Sequence, residues 1–317
     1  MKHIKLIAGV MFALMLVLSA CGPQPAQIDA ENELVVTVSV LPQKYFVERI
    51  GGEHVAVNVM VAPGASPATY EPTPEQMAAL SESAAYYNIG VAFEDVWLDK
   101  IAAANEDMVI VDTTAGIERI SMVEHEHEDE HADEDHEDEH EGEHEDGHED
   151  DHEEGGLDPH VWTSPEMVKI MSQSIYENLV DLDPANADEF KTNLDAFVAE
   201  IDTLEDEISG ALAGLEGEKF FVFHPAWGYF ARDFGLVQVP IEVGGTEPSA
   251  SELAELIDEA KHEGAKVIFV QPEFSTRSAE TIAEEIGGSV VLISPLEEDW
   301  MSNLSKVAEA FSSALGQ

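Results

Sequence analysis

The chain of 317 residues contains a single cysteine, Cys21, which excludes an intramolecular disulfide. Positive charge is also scarce. The 14 Lys+Arg face 66 Asp+Glu, giving a formal net charge of -52 at pH 7. Such a chain repels phosphate backbones, which rules out sequence-independent nucleic-acid binding. No apolar run reaches the ~20 residues that a membrane-spanning helix needs. Signatures of common hydrolytic and nucleotide chemistry are missing too: there is no Gly-x-Ser-x-Gly elbow, no P-loop and no His-Glu-x-x-His helix, that spacing occurring only within the acidic run 127–152. Hydrophobic residues make up 44% of the chain, enough for a large core. At ~100–200 residues per domain the length suggests about two domains.

The first twenty residues read as an export signal. Lys2 and Lys5 form a short basic region, Leu6–Leu18 is almost purely apolar, and small residues follow. The junction Leu18-Ser19-Ala20-Cys21 resembles a bacterial lipobox, which implies that Cys21 is acylated and becomes the mature N-terminus. Two or more acyl chains anchor stably, at about 0.8 kcal/mol per buried CH₂. Residues 21–33 then read as a polar tether. The expected location is extracytoplasmic, on the outer face of the cytoplasmic membrane or in the periplasm.

Beyond the tether, strand and helix patterns alternate. Strands are expected at Leu34–Val40, Val55–Val61, Ala84–Ile89 and Met108–Asp112, with helices at Pro42–Ile50, Pro74–Ser83 and Val91–Ala104. Ser164 and Pro165 look like the N-cap and first residue of a helix running to about Val180. A second set of strands follows at Lys219–Phe223, Leu236–Ile241, Lys266–Val270 and Ser289–Ile293. Helices are expected from near Ala226, Ser249 and Ser278, and over Asp299–Leu315. Repeated β-α-β units imply parallel sheets covered on both faces, hence an α/β protein of two lobes. The expected lobes are 34–183 and 217–317. Between them, 184–216 places Phe190, Leu194, Phe197, Ile201, Leu204, Ile208 and Leu212 three or four apart. That is the period of one amphipathic helix of about 28 residues, near 40 Å long, able to act as a stiff spine.

Residues 124–154 hold 20 acids, no Lys or Arg, and eight of the 13 histidines: His125, His127, His131, His136, His140, His144, His148 and His152. So acidic a stretch has too few apolar side chains to fold alone and reads as a disordered loop. Imidazole suits zinc, copper and nickel, and carboxylates add weaker oxygen ligands. The loop therefore reads as a low-affinity metal collector that does not discriminate between metals.

Outside that tract the mature chain has His54, His160, His224 and His262. His54 and His262 look like surface residues. His160 stands in Asp158-Pro159-His160-Val161-Trp162, where the loop rejoins the fold, and His224 follows a strand in Phe223-His224-Pro225-Ala226-Trp227. Ligands in α/β sheets bind beyond the carboxyl ends of strands. One histidine from each half therefore points to a metal site between two lobes.

At this point the chain resembles the zinc/manganese substrate-binding proteins of ABC importers, whose lobes are joined by a rigid backbone helix. The resemblance spans about 34–317. It rests on Gly64-Ala65-Ser66-Pro67-Ala68-Thr69-Tyr70-Glu71-Pro72-Thr73-Pro74, on Asp158–Trp162, on His224–Phe230 and on Ile268-Phe269-Val270-Gln271-Pro272-Glu273-Phe274. The acidic histidine loop falls where zinc-type members carry theirs. The resemblance implies a non-enzymatic, monomeric receptor that passes its ion to a permease and ATPase. It also implies four ligands, two of which His160 and His224 match. The other two positions depart, being Ala68 where a histidine is usual and Ser294 where an aspartate is usual.

Three sources could fill the open positions: a loop histidine, an oxygen from Glu71, Glu94, Glu242 or Glu273, or water. A loop histidine is the first expectation, because the loop opens immediately before His160. It would restore a nitrogen-rich tetrahedral site that prefers Zn²⁺ over Mn²⁺ or another divalent metal. A permease-independent metal buffer and a metallohydrolase remain as alternative functions.

Overall fold

Short β-branched and aromatic runs alternate with amphipathic segments and fold into two parallel sheets. The computed structural model describes residues 33–122, 156–243 and 246–316. The export signal, Cys21 and the acidic histidine loop lie outside the described residues. In the first sheet β1 (Leu34–Val38), β2 (Val55–Val59), β3 (Ala85–Asn88) and β4 (Val109–Asp112) pair in the order β2-β1-β3-β4. In the second, β5 (Lys219–Val222), β6 (Val237–Pro240), β7 (Val267–Val270) and β8 (Ser289–Leu292) pair as β6-β5-β7-β8. Every pairing is parallel, so each strand is reached by a crossover. The two sheets repeat one topology, and in each the chain order reverses beside the first strand. The carboxyl ends of β1/β3 and of β5/β7 are thus the natural binding crevices.

The helices are α1 (Leu41–Gly51), α2 (Pro74–Ala79), α3 (Ala92–Ala104), α4 (Pro165–Leu182), α5 (Ala187–Leu212), α6 (Gly228–Phe234), α7 (Ala250–His262), α8 (Arg277–Ile286) and α9 (Trp300–Leu315). Ser164 caps α4 as its sequence suggests, its hydroxyl accepting from the Met167 amide at 3.1 Å. The helix expected from Ala226 starts two residues later. The Ala226 amide donates to the His224 carbonyl at 2.8 Å, so Pro225 to Trp227 turn before the helix begins. The segment expected as one helix over Pro74–Ser83 tightens to a 3₁₀ turn at Leu80–Glu82.

The spine expected between the sheets is α5, with 26 residues. All seven stripe residues, from Phe190 to Leu212, are buried. Its apolar face packs against α1 and α4 beside the first sheet and against α9 beside the second. Phe197 sits at the crossing, with ring centroids 6.0 Å from Tyr45, 6.1 Å from Phe46 and 6.4 Å from Trp300. Buried apolar residues from both lobes join there into one continuous cluster, while Phe221, Ile241, Leu256, Ile268 and Ile282 belong to a separate one on the other face of the second sheet.

Hydrogen bonds add to this join. The Trp162 indole donates to the Pro295 carbonyl at 2.7 Å, and the Trp300 indole donates to the Trp162 carbonyl at 2.6 Å. Lys44 pairs with Glu298 across the same side. Among the described residues no helix is long and apolar enough to cross a membrane.

Removing the ring at the crossing leaves a cavity that neither lobe can fill alone. Phe197→Ala is expected to cost about 3–5 kcal/mol of unfolding free energy. Chemical denaturation followed by tryptophan fluorescence measures it, and a loss under about 1 kcal/mol would show that the lobes do not depend on this contact.

Candidate metal site

His224 lies two residues past the end of β5, at the switch point of the second sheet. Its main chain is clamped by one side chain from the β7 end. The Gln271 carboxamide accepts from the His224 amide at 3.2 Å and donates to the His224 carbonyl at 2.6 Å. The His224 ring stacks on Phe274, centroids 4.9 Å apart. Its Nδ1–H donates to the buried Glu242 carboxylate at 2.6 Å. His160 enters from the segment before α4. Its ring Nδ1–H donates to Asp158 at 2.8 Å, and its amide donates to the same oxygen at 2.8 Å.

Both imidazoles are therefore held by a carboxylate on Nδ1, which leaves Nε2 as the lone-pair nitrogen in each. The two Nε2 atoms face one another at 3.3 Å. Two lone pairs at that distance repel unless a cation shares them. Two nitrogens bound at ~2.05 Å to a tetrahedral ion lie about 3.3 Å apart, so the pair has the spacing of a zinc site. Burial holds His160 below the ordinary histidine value, with Asp158 opposing that shift and His224 adding to it. The ring is thus neutral at pH 7, as a metal ligand must be.

Asp158 is the functional residue that reading the sequence by residue type missed. Its short spacing to His160 was the available signal. The buried carboxylate fits because residue 228 has no side chain: a Cβ there would stand 2.7 Å from Asp158 Oδ2. Tyr229 steadies the same segment, its hydroxyl donating to the Asp158 carbonyl at 2.9 Å.

The structure distributes the expected oxygen donors unevenly. Glu242 reaches the site, but one of its oxygens is committed to His224. Glu273 lines the cleft, half-buried, and burial raises its carboxyl above the ordinary value against the opposing pull of its own backbone amide and Ser294. Glu71 is exposed and lies outside the cleft lining.

Glu94, expected at the cleft rim, turns inward instead. It accepts from the Ile89 and Val91 amides at 3.2 and 3.0 Å and from Gly90, and it is bonded to Ser39. It organises the start of α3, and those four donors leave it no role at the histidine pair. Ala68 lines the cleft, while Ser294 is buried with its hydroxyl accepting from the Leu296 amide at 3.1 Å. Among the described residues no cluster of three or more His, Cys, Asp or Glu could hold an ion. The pair is what the described residues bring together.

As expected, the other two histidines stand apart from the pair. His54 packs edge-on against Phe190 with its Nε2 3.1 Å from Glu189, and His262 is exposed.

The chain is similar to known proteins along most of its length. The family described as "ZnuA: Zinc-uptake complex component A periplasmic" matches residues 36–314. The "High-affinity zinc uptake system protein ZnuA" of Bacillus subtilis (strain 168) is 30% identical over 299 residues, covering 91% of this chain and 87% of that protein. A crystal structure of ZnuA is 44% identical with a TM-score of 0.78, over 89% of this chain and 99% of that one. A ZnuA deletion mutant with zinc bound is 43% identical with a TM-score of 0.77, over 89% and 98%.

Because each carboxylate sets the tautomer and aim of its ring, Asp158→Asn and Glu242→Gln are each expected to weaken zinc binding about 10–100-fold. Competition titration against a chromophoric chelator measures this. Glu94→Gln is expected to lower the thermal midpoint and leave zinc affinity unchanged. Zinc affinity that followed Glu94 and ignored Asp158 would refute the assignment.

Proposed function

This chain belongs to the zinc-uptake complex component A family, and on that premise we propose that it captures Zn²⁺ outside the cytoplasm and delivers it to an ABC import permease driven by its ATPase. The observation that carries the reading is the pair of Nε2 atoms 3.3 Å apart, each ring locked by a carboxylate. That arrangement suits a metal ion, and in a family of uptake components the ion is cargo, with Mn²⁺ or another divalent metal as the competing occupant.

The remaining assignments belong to the same reading. Cys21 carries the lipid anchor, and residues 1–20 direct export. The tract from His125 to His152 raises the local concentration of metal before the tight site takes it. The receptor works as a monomer, built as lobes 34–183 and 217–317 around the connector 184–216. Its lobes share one apolar cluster through α5, so cargo exchange proceeds by local movement at the cleft more than by wide hinge closure.

The reading is tested in cells and in solution together. His160→Ala and His224→Ala are each expected to abolish tight zinc binding and to fail to restore growth of a strain lacking this chain in zinc-depleted medium. Wild-type protein should restore growth only when the permease is present. Restoration without the permease would favour a metal buffer, and tight binding that survived both substitutions would refute the interlobe site.

A further inference from the structure

The space above the histidine pair is large for a bare ion. The cavity has a volume of about 330 Å³. Liquid water occupies about 30 Å³ per molecule, so the cavity has room for on the order of ten waters. It matches the lower end of small-molecule pockets, ~300–1,000 Å³. Its walls are mainly apolar, with Pro67, Ala68, Val91, Leu157, Phe274 and Leu296 among them. Three carboxylates, Asp95, Glu242 and Glu273, also line it.

Zinc wants four donors, and the described residues bring two. Where the resemblance implies a third imidazole, Ala68 presents a methyl group to this cavity. One imidazole from elsewhere in the chain would fill one coordination position and leave most of the apolar wall wet. A molecule carrying two donor atoms and a small apolar body would satisfy both the ion and the wall.

We propose that zinc is held in this cleft together with one small nitrogen-bearing chelator of the amino-acid class, which supplies the donors that residues 68 and 294 do not. The proposal rests on the histidine pair being the zinc site, and it names the form in which the cargo is held. The carboxylates select the chelator's charge. A polycarboxylate such as citrate would bring negative charge against Asp95, Glu242 and Glu273, whereas zinc with one histidine anion remains a cation. An imidazole-bearing amino acid offers a ring nitrogen and an amine to the ion and a flat apolar body to the wall.

The test titrates L-histidine into the zinc-loaded full chain by calorimetry, with native mass spectrometry to count what stays bound. One L-histidine is expected per zinc-loaded protein, with none on the metal-free protein and no retained citrate. Ala68→His, which places an imidazole on the cavity wall, is expected to lose L-histidine binding and keep zinc. Ala68→Ser controls for folding and should keep both.

Absence of a ternary complex on zinc-loaded protein, removal of the zinc by L-histidine, or equal retention of citrate would each overturn the proposal. So would L-histidine binding that appeared only after deletion of residues 124–154, which would give the position to a loop histidine. Zinc binding without L-histidine binding sinks this inference alone. Failure to bind zinc at all sinks the reading of the histidine pair with it.

Discussion

The contact on which the site depends is the hydrogen bond from each imidazole Nδ1 to a carboxylate. Without Asp158 and Glu242 the rings could rotate or take the other tautomer, and the Nε2 lone pairs would not converge. Other details serve these two bonds. Gly228 leaves room for the Asp158 carboxylate, Tyr229 holds its main chain, and Gln271 clamps His224 from both sides. These bonds fix the aim of both rings, with the Nε2 atoms 3.3 Å apart. Such preorganisation lowers the ordering cost of binding.

Keeping two rings from different lobes at that spacing demands that the lobes hold still. The α5 helix meets this demand with one buried stripe that packs on both halves, and Phe197, Phe46 and Trp300 meet where the halves touch. The indole bonds of Trp162 and Trp300 tie the His160 segment directly to the opposite lobe. A hinged pair of lobes would have to form the metal site on closing. Here the two halves are tied by a shared core and by the indole bonds beside the histidine pair.

Electrostatics favours the cargo at every distance. A chain with 66 acids and 14 bases draws cations toward its surface, and the cleft wall continues the same sign with Asp95, Glu242 and Glu273. The same charge discourages anionic complexes. Near the ion the neutral, buried His160 takes over, because a desolvated imidazole avoids protonation and stays available as a ligand.

The sequence by itself determined the parts of this protein that depend on local pattern. The three-and-four spacing from Phe190 to Leu212 implied a helix with one buried face, and all seven positions are buried, because helical periodicity is a property of consecutive residues. Alternating strand and helix signals implied parallel sheets, and the places of His160 and His224 at element edges singled out the pair that the structure brings together. Tertiary structure decided what depends on partners distant in the chain. Glu242 serves His224 from 18 residues away because β5 and β6 lie side by side. Glu94 and Glu273 look alike in sequence, yet one turns into the backbone amides at the start of α3 and the other lines the cleft. A carboxylate's neighbours are set by strand order and packing, and no spacing along the chain encodes them.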